Sequence, residues 1–242
     1  MDEVPQDRLA RTLAGETRLD IGVVLREAWE RVPGSKALLF GSFVAFYALM
    51  LPAFMLLGLL LAGVGLDIDS GFGSLIAQLL VTAAVYPFFA GIFMVSLRWI
   101  SGRPVAVTQL LENYDRTLQL VLLNVLMSLG ILAGLILFVI PGIYLAVAWM
   151  LALPLVVDRN LGVFEALETS RRVVTKHWFS AFAFVLISGL AIAVGAFTFG
   201  IALIWVMPWM ALAYAILYRE LVGSRSFPPE PENPDATVSV EV

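Results

Sequence analysis

Long uncharged stretches alternate with short charged ones along the chain. No Asp, Glu, Lys or Arg occurs in the 30 residues between Lys36 and Asp67, the 28 between Asp69 and Arg98, the 41 between Arg116 and Asp158, or the 42 between Lys176 and Arg219. A helix needs about 20 apolar residues to cross a bilayer. The first two stretches hold one such helix each, and the last two are long enough for two if a turn interrupts them. A single 42-residue helix would be about 60 Å long, twice the hydrocarbon core.

Turn signals sit where they are needed. Pro141-Gly142 follows the apolar run ending at Ile140, and proline suits the first turn of a new helix while disfavouring helix just before it. Thr198-Phe199-Gly200 interrupts the last stretch. The pattern predicts six spans, near 37–62, 75–97, 118–140, 141–157, 178–197 and 201–218. Pro52, Pro87, Pro154 and Pro208 fall inside them and predict kinks.

Ahead of each pair of spans lies an amphipathic stretch. Ile21, Val24, Leu25, Ala28 and Val32 recur at the offsets of one helix face, as do Val107, Leu110, Leu111, Tyr114 and Leu118. In the third, Val163, Phe164, Ala166, Leu167, Ser170, Val173 and Val174 oppose Glu165, Glu168, Arg171, Arg172 and Lys176. Short helices with one charged face are expected in the membrane interface. The unit of interfacial helix, span, span therefore occurs three times, over about 19–97, 105–157 and 161–219. Glu27-Ala28-Trp29-Glu30 and Glu165-Ala166-Leu167-Glu168 share three of four letters. Duplication and the ordinary hydropathy of hairpin-built membrane proteins both account for the repeat.

Composition gives the same fold class. Of 242 residues, 60% are hydrophobic and 14% charged, and the mean hydropathy is +0.92. A soluble domain is about 45–50% apolar and about 25% charged. The fold class is an all-α, polytopic membrane protein with six transmembrane helices in three hairpin units, each preceded by a cytoplasmic interfacial helix. The composition excludes a disordered chain, a collagen and a coiled coil, and a net charge of −4 lacks the basic face of a nucleic-acid binder. No cysteine is present, and His177 is the only histidine, so disulfides, thiolate metal sites and multi-histidine zinc sites are excluded.

Six spans place the N-terminal region, the loops 98–116 and 158–177, and the C-terminus on one side. Those segments hold all fifteen Lys and Arg residues. By the positive-inside rule both termini are cytoplasmic, and the 67–74 loop with Asp67 and Asp69 faces the other side. The charged start argues against a signal peptide. Residues 1–18 read as a flexible cytoplasmic N-terminus, and 223–242, acidic and proline-rich from Phe227 to Asp235, as a disordered tail.

From Ile140 the chain resembles a known family. Pro141-Gly142-Ile143-Tyr144-Leu145, then Leu153-Pro154-Leu155-Val156-Val157-Asp158, then Gly162-Val163-Phe164-Glu165-Ala166-Leu167-Glu168-Thr169-Ser170-Arg171-Arg172, and finally Leu217-Tyr218-Arg219-Glu220-Leu221 are similar to the YciC-like bacterial six-span inner-membrane proteins and to the membrane domain attached to some glycerophosphodiester phosphodiesterases. The likeness covers about 19–221 and is most specific over 140–178. It implies a bacterial inner-membrane, multi-pass location. In the phosphodiesterases a separate soluble domain performs the chemistry, so the resemblance carries no catalytic residue to this chain.

The candidate residues are few. The spans hold no ionisable side chain of the kind that marks proton relays. Gln78 and Asn124 are their most costly polar groups, expected to make interhelical hydrogen bonds, with the lining of a substrate path as the alternative. Gly130 with Gly134, and Gly189 with Ala193, are small-xxx-small pairs, expected to pack helices within the chain, with a dimer face as the alternative. Arg171, Arg172 and Lys176 form the densest basic cluster, suited to an anionic lipid headgroup or simply to fixing topology. No cofactor, metal or nucleic acid is implied; membrane lipids are the expected partners. The leading expectation is a non-enzymatic membrane protein with a structural or accessory envelope role, organising lipid or a partner. The alternative is a transporter or channel for a lipid or small apolar solute. A lipid enzyme using Asp158, Glu165 or His177 is the third reading, weakened by the lack of an acid–base constellation.

Overall fold

The computed structural model describes residues 5–63 and 71–228. They form α1 (Pro5–Ala14), α2 (Ile21–Gly63), α3 (Gly71–Ile100), α4 (Thr117–Leu137), α5 (Val139–Ala148), α6 (Ala152–Arg159), α7 (Val163–Lys176), α8 (Trp178–Phe197) and α9 (Leu203–Leu221). Two short 3-10 turns, Val107–Leu111 and Tyr114–Arg116, lead into α4, and no strand occurs among the described residues.

Five helical stretches are long and apolar enough to cross a membrane: Ala37–Leu60, Gly73–Ile100, Val107–Leu137, Val139–Arg159 and Trp178–Phe197. The sixth expected segment, 201–218, coincides with α9, which is not among them. Its 19 residues include Trp205, Trp209, Tyr214, Tyr218, Pro208 and the pair Arg219-Glu220, which dilute its hydropathy. Much of it is also enclosed by protein. Leu212, Ala213, Ala215, Ile216, Leu217, Tyr218 and Leu221 are buried where α9 packs along α2 and α3. The outward faces of other helices are apolar; Leu118, Ile140 and Phe197 are all at least 80% exposed. Such surfaces are unusual for water and ordinary against lipid.

Several local expectations shift. The first amphipathic stretch is not a separate helix: it continues through Pro33 into the apolar run as the 43-residue α2. The second folds as 3-10 turns, with the Leu110 backbone packed against Gly91 of α3. A Cβ at Gly91 would lie 2.1 Å from the Leu110 carbonyl oxygen, so only glycine admits this approach. The third stretch is α7, which buries Val163, Ala166, Leu167, Ser170, Val173 and Val174.

The break expected at 140–141 falls at Phe138, whose extended backbone (φ −159°, ψ 144°) separates α4 from α5 and leaves Pro141 in the first turn of α5. The expected 141–157 span is divided at 149–151. Residues 1–18 contain α1, packed on α7 and α9 rather than free. Of the expected disordered tail, 223–228 is ordered, with Ser224 and Phe227 buried; 229–242 lies outside the described residues. So do Asp67 and Asp69 in their loop.

Candidate functional site

The basic cluster lies on the outward face of α7. Glu168 accepts Arg171 Nε and Nη2 at 2.8 Å each and Arg172 Nε at 2.6 Å. These guanidiniums pull its carboxyl down from 4.5 to about 2, and Glu168 in turn raises Arg171 further. Two of the three expected headgroup cations therefore share one internal counter-ion. Lys176 and Glu165 are exposed. His177, the residue joining α7 to α8, is half-buried, and desolvation lowers its pKa. Its Nε2 lies 3.0 Å from Thr17 Oγ1, which also bonds Thr12 Oγ1 at 3.1 Å. The lone histidine thus ties the segment after α1 to the start of α8.

Asp158, at the end of α6, is 5% exposed and receives four hydrogen bonds. Tyr218 Oη donates to Oδ2 at 2.8 Å and Ser224 Oγ to Oδ1 at 3.1 Å. The backbone N–H groups of Arg225 and Ser226 donate to Oδ2 and Oδ1, each at 2.9 Å. A carboxylate this satisfied is an acceptor for the loop after α9, as a buried charge must be. Beside it Arg159 Nη2 donates to the carbonyls of Val222 and Gly223, at 2.7 and 3.2 Å, covering the C-terminal end of α9. Phe227 closes the loop under the guanidiniums of Arg98 and Arg103, 5.1 and 5.7 Å from its ring centre. Sequence reasoning missed this clasp, since its two halves are over 60 residues apart.

A second polar network joins four helices. Arg8 pairs with Glu220 at 2.6 Å, Glu220 with Arg219 at 3.1 Å, Arg219 with Glu27 at 2.8 Å, and Glu27 with Arg31 at 2.9 Å. Arg31 Nη1 ends the chain on the Ile100 carbonyl at 2.7 Å. Arg116 similarly donates to the Val156 and Val157 carbonyls of α6. Many of the basic residues counted for topology also act as clamps on neighbouring helices.

The break between α5 and α6 is sealed from two sides. Ser170 Oγ donates to the Ala148 carbonyl at 2.7 Å and accepts the Leu151 N–H at 3.1 Å. Tyr214 Oη donates to the Met150 carbonyl. Asp158, Glu165 and His177 are not joined by a hydrogen bond or ion pair among the described residues, and each has different surroundings.

The intramembrane polar pair is not brought together. Gln78 is exposed on α3, Asn124 half-buried on α4, and neither lines the cavities described around α6, α5 and α8, or the start of α2. The glycine pairs differ. Gly134 faces α5 and Gly130 the break after it: a Cβ at Gly130 would meet the Trp149 ring at 2.4 Å, and one at Gly134 the Gly142 backbone at 2.9 Å. Gly189 and Ala193 are exposed, with nothing within 4 Å of a Cβ at Gly189. Among the described residues no group of three His, Cys, Asp or Glu is placed to hold a metal. Comparison with protein-family models, with curated proteins and with solved structures finds no match to this chain.

Proposed function

We propose that this chain is a six-span protein of a bacterial inner membrane, of the YciC-like kind. Both termini are cytoplasmic, and its role is non-enzymatic, structural or accessory in the envelope, organising lipid or a partner protein. The observation that carries the reading is the use made of its charged groups. Asp158, the acid most enclosed by protein among the described residues, spends both carboxylate oxygens on four internal donors. Arg8, Glu220, Arg219, Glu27 and Arg31 spend theirs on one another. Groups so engaged hold helices in place and are poorly disposed to exchange protons with a substrate. Counting α9 as a span follows from the basic residues, which fall on one side only for an even number.

A second reading, a carrier or channel for a lipid or small apolar solute, draws on the helix break at 149–151 within the apolar stretch Val139–Arg159. Broken helices build binding sites in carriers. Here Ser170 and Tyr214 already occupy the freed groups, which favours a packing role.

The absence of native cysteine permits a direct test. Single cysteines at Gly102 and Asn160 are expected to react with an impermeant maleimide only from the cytoplasmic side, and one at Phe199 only from the other. Labelling of all three from one side overturns the topology. For the role, depletion of the protein is expected to alter lipid composition or partner complexes while sealed vesicles holding the purified chain stay tight. Solute flux through such vesicles moves the assignment to the carrier.

A further inference from the structure

Where α5 meets α8, Ile140, Ile143, Tyr144, Trp178 and Phe182 line an open cavity of about 440 Å³ whose exposed lining is wholly apolar. That volume is in the range of small-molecule sites. Its aromatic walls are flat. Tyr144 stacks on Trp178 with ring planes 22° apart, and Trp178 on Phe182 with planes 8° apart. The three stacked rings make one continuous apolar wall, along which an extended hydrocarbon chain can lie.

The last turn of α7, which carries the basic cluster, adjoins the slot at Tyr144. Thr175 Oγ1 donates to the Arg171 carbonyl, so the 2.8 Å bond between Tyr144 Oη and Thr175 Oγ1 is donated by the tyrosine. Lys176 is exposed two residues from Trp178, and Arg172 is exposed one turn earlier. Arg171, Arg172 and Lys176 outnumber Glu168, the single acid paired among them.

We propose that the slot holds one acyl chain of an anionic phospholipid, whose phosphate lies at Lys176 and Arg172. The occupant has both an apolar and an anionic part. A free phosphate has nothing to place against the rings, and a zwitterionic lipid gains less from the surplus of positive charge. The proposal rests on the membrane reading above and adds to it a headgroup charge and a place.

The test is native mass spectrometry of the full chain released from vesicles of equal phosphatidylglycerol and phosphatidylcholine. One retained phosphatidylglycerol per chain is expected. Ile143→Trp, at a partly exposed wall position, fills the slot and is expected to abolish that adduct. Arg172→Gln with Lys176→Gln is expected to leave a lipid bound but to cut the preference for phosphatidylglycerol by about fivefold for each charge removed. Circular dichroism of each variant separates loss of lipid from loss of fold. Equal retention of the two lipids by the unaltered chain overturns the proposal, as does an adduct that survives Ile143→Trp, or a bound polypeptide in place of the lipid. A chain that does not enter vesicles at all overturns the membrane reading instead.

Discussion

The Tyr214 hydroxyl of α9 donates to the Met150 carbonyl, the acceptor that residue 154 would serve in an unbroken helix. Residue 154 is proline and has no N–H to give. One side chain on a distant helix thus replaces the bond that one proline removes. Tyr214→Phe is expected to lower stability in detergent by about 1 kcal/mol, the upper half of the range for interhelical bonds in membranes. Pro154→Ala restores the backbone donor, so Tyr214→Phe is expected to cost less in that background. A thermal-melt double-mutant cycle with no coupling would show that the two residues do not share this carbonyl.

The two glycine pairs are expected to respond in opposite ways. Gly134→Ala would put a methyl 2.9 Å from the Gly142 backbone, which has no flexible end to move aside. Relief requires α4 and α5 to separate, and overpacking of this kind costs about 1–3 kcal/mol. Gly189→Ala meets open space and gains up to about 1 kcal/mol of helix propensity. Melting temperatures should fall for the first and hold or rise for the second. Equal tolerance at both positions would contradict the close α4–α5 approach.

The contrast between these pairs shows what the sequence could reveal. Both read as the same small-xxx-small motif, and nothing along the chain says which one faces a helix. Five of the expected spans were legible, because charge exclusion from lipid writes their lengths into the sequence. The turn at Thr198-Phe199-Gly200 was legible too; Phe199 and Gly200 take positive φ there. The division at 149–151 was not, although Pro154 signalled a kink, since the seal comes from Ser170 and Tyr214 on other helices. Nor could local pattern separate α1 from a flexible leader: α1 is held by Arg8 on Glu220, 212 residues away. Asp158 stood out as an acid ending an apolar run, but its donors Ser224, Arg225 and Ser226 lie in a segment whose composition reads as disordered.

That clasp makes a specific prediction. Asp158→Asn keeps the shape but replaces one acceptor oxygen by an amide that cannot accept from the Arg225 or Ser226 N–H. Hydrogen bonds to a charged group are worth about 1.5–3 kcal/mol each, so the loop should open at least about tenfold more often. Cleavage of a transiently opened segment tracks the open population. Trypsin should therefore cut after Arg225 about tenfold faster or more in Asp158→Asn, with α1 to α9 otherwise resisting as before. An unchanged rate would mean that Phe227, held under Arg98 and Arg103, suffices to fix the loop.

The Glu168 carboxylate supplies a pH signature for α7. Arg171 and Arg172 hold it down from 4.5 to about 2 in the folded chain. A group whose pKa is depressed by folding stabilises fully above its unfolded value and loses that contribution as pH falls towards the folded one. The pair therefore stabilises at neutral pH, weakens between about 4.5 and about 2, and contributes nothing below. Because Glu168 and both arginines are well exposed, with side chains 40–63% accessible, water and salt screen the effect. Glu168→Gln is expected to melt slightly below the unaltered chain at pH 7, and the gap should narrow on acidification through that window and in 1 M salt. A gap that persists at pH 2, or widens as pH falls, would place the source of the difference elsewhere than in these two ion pairs.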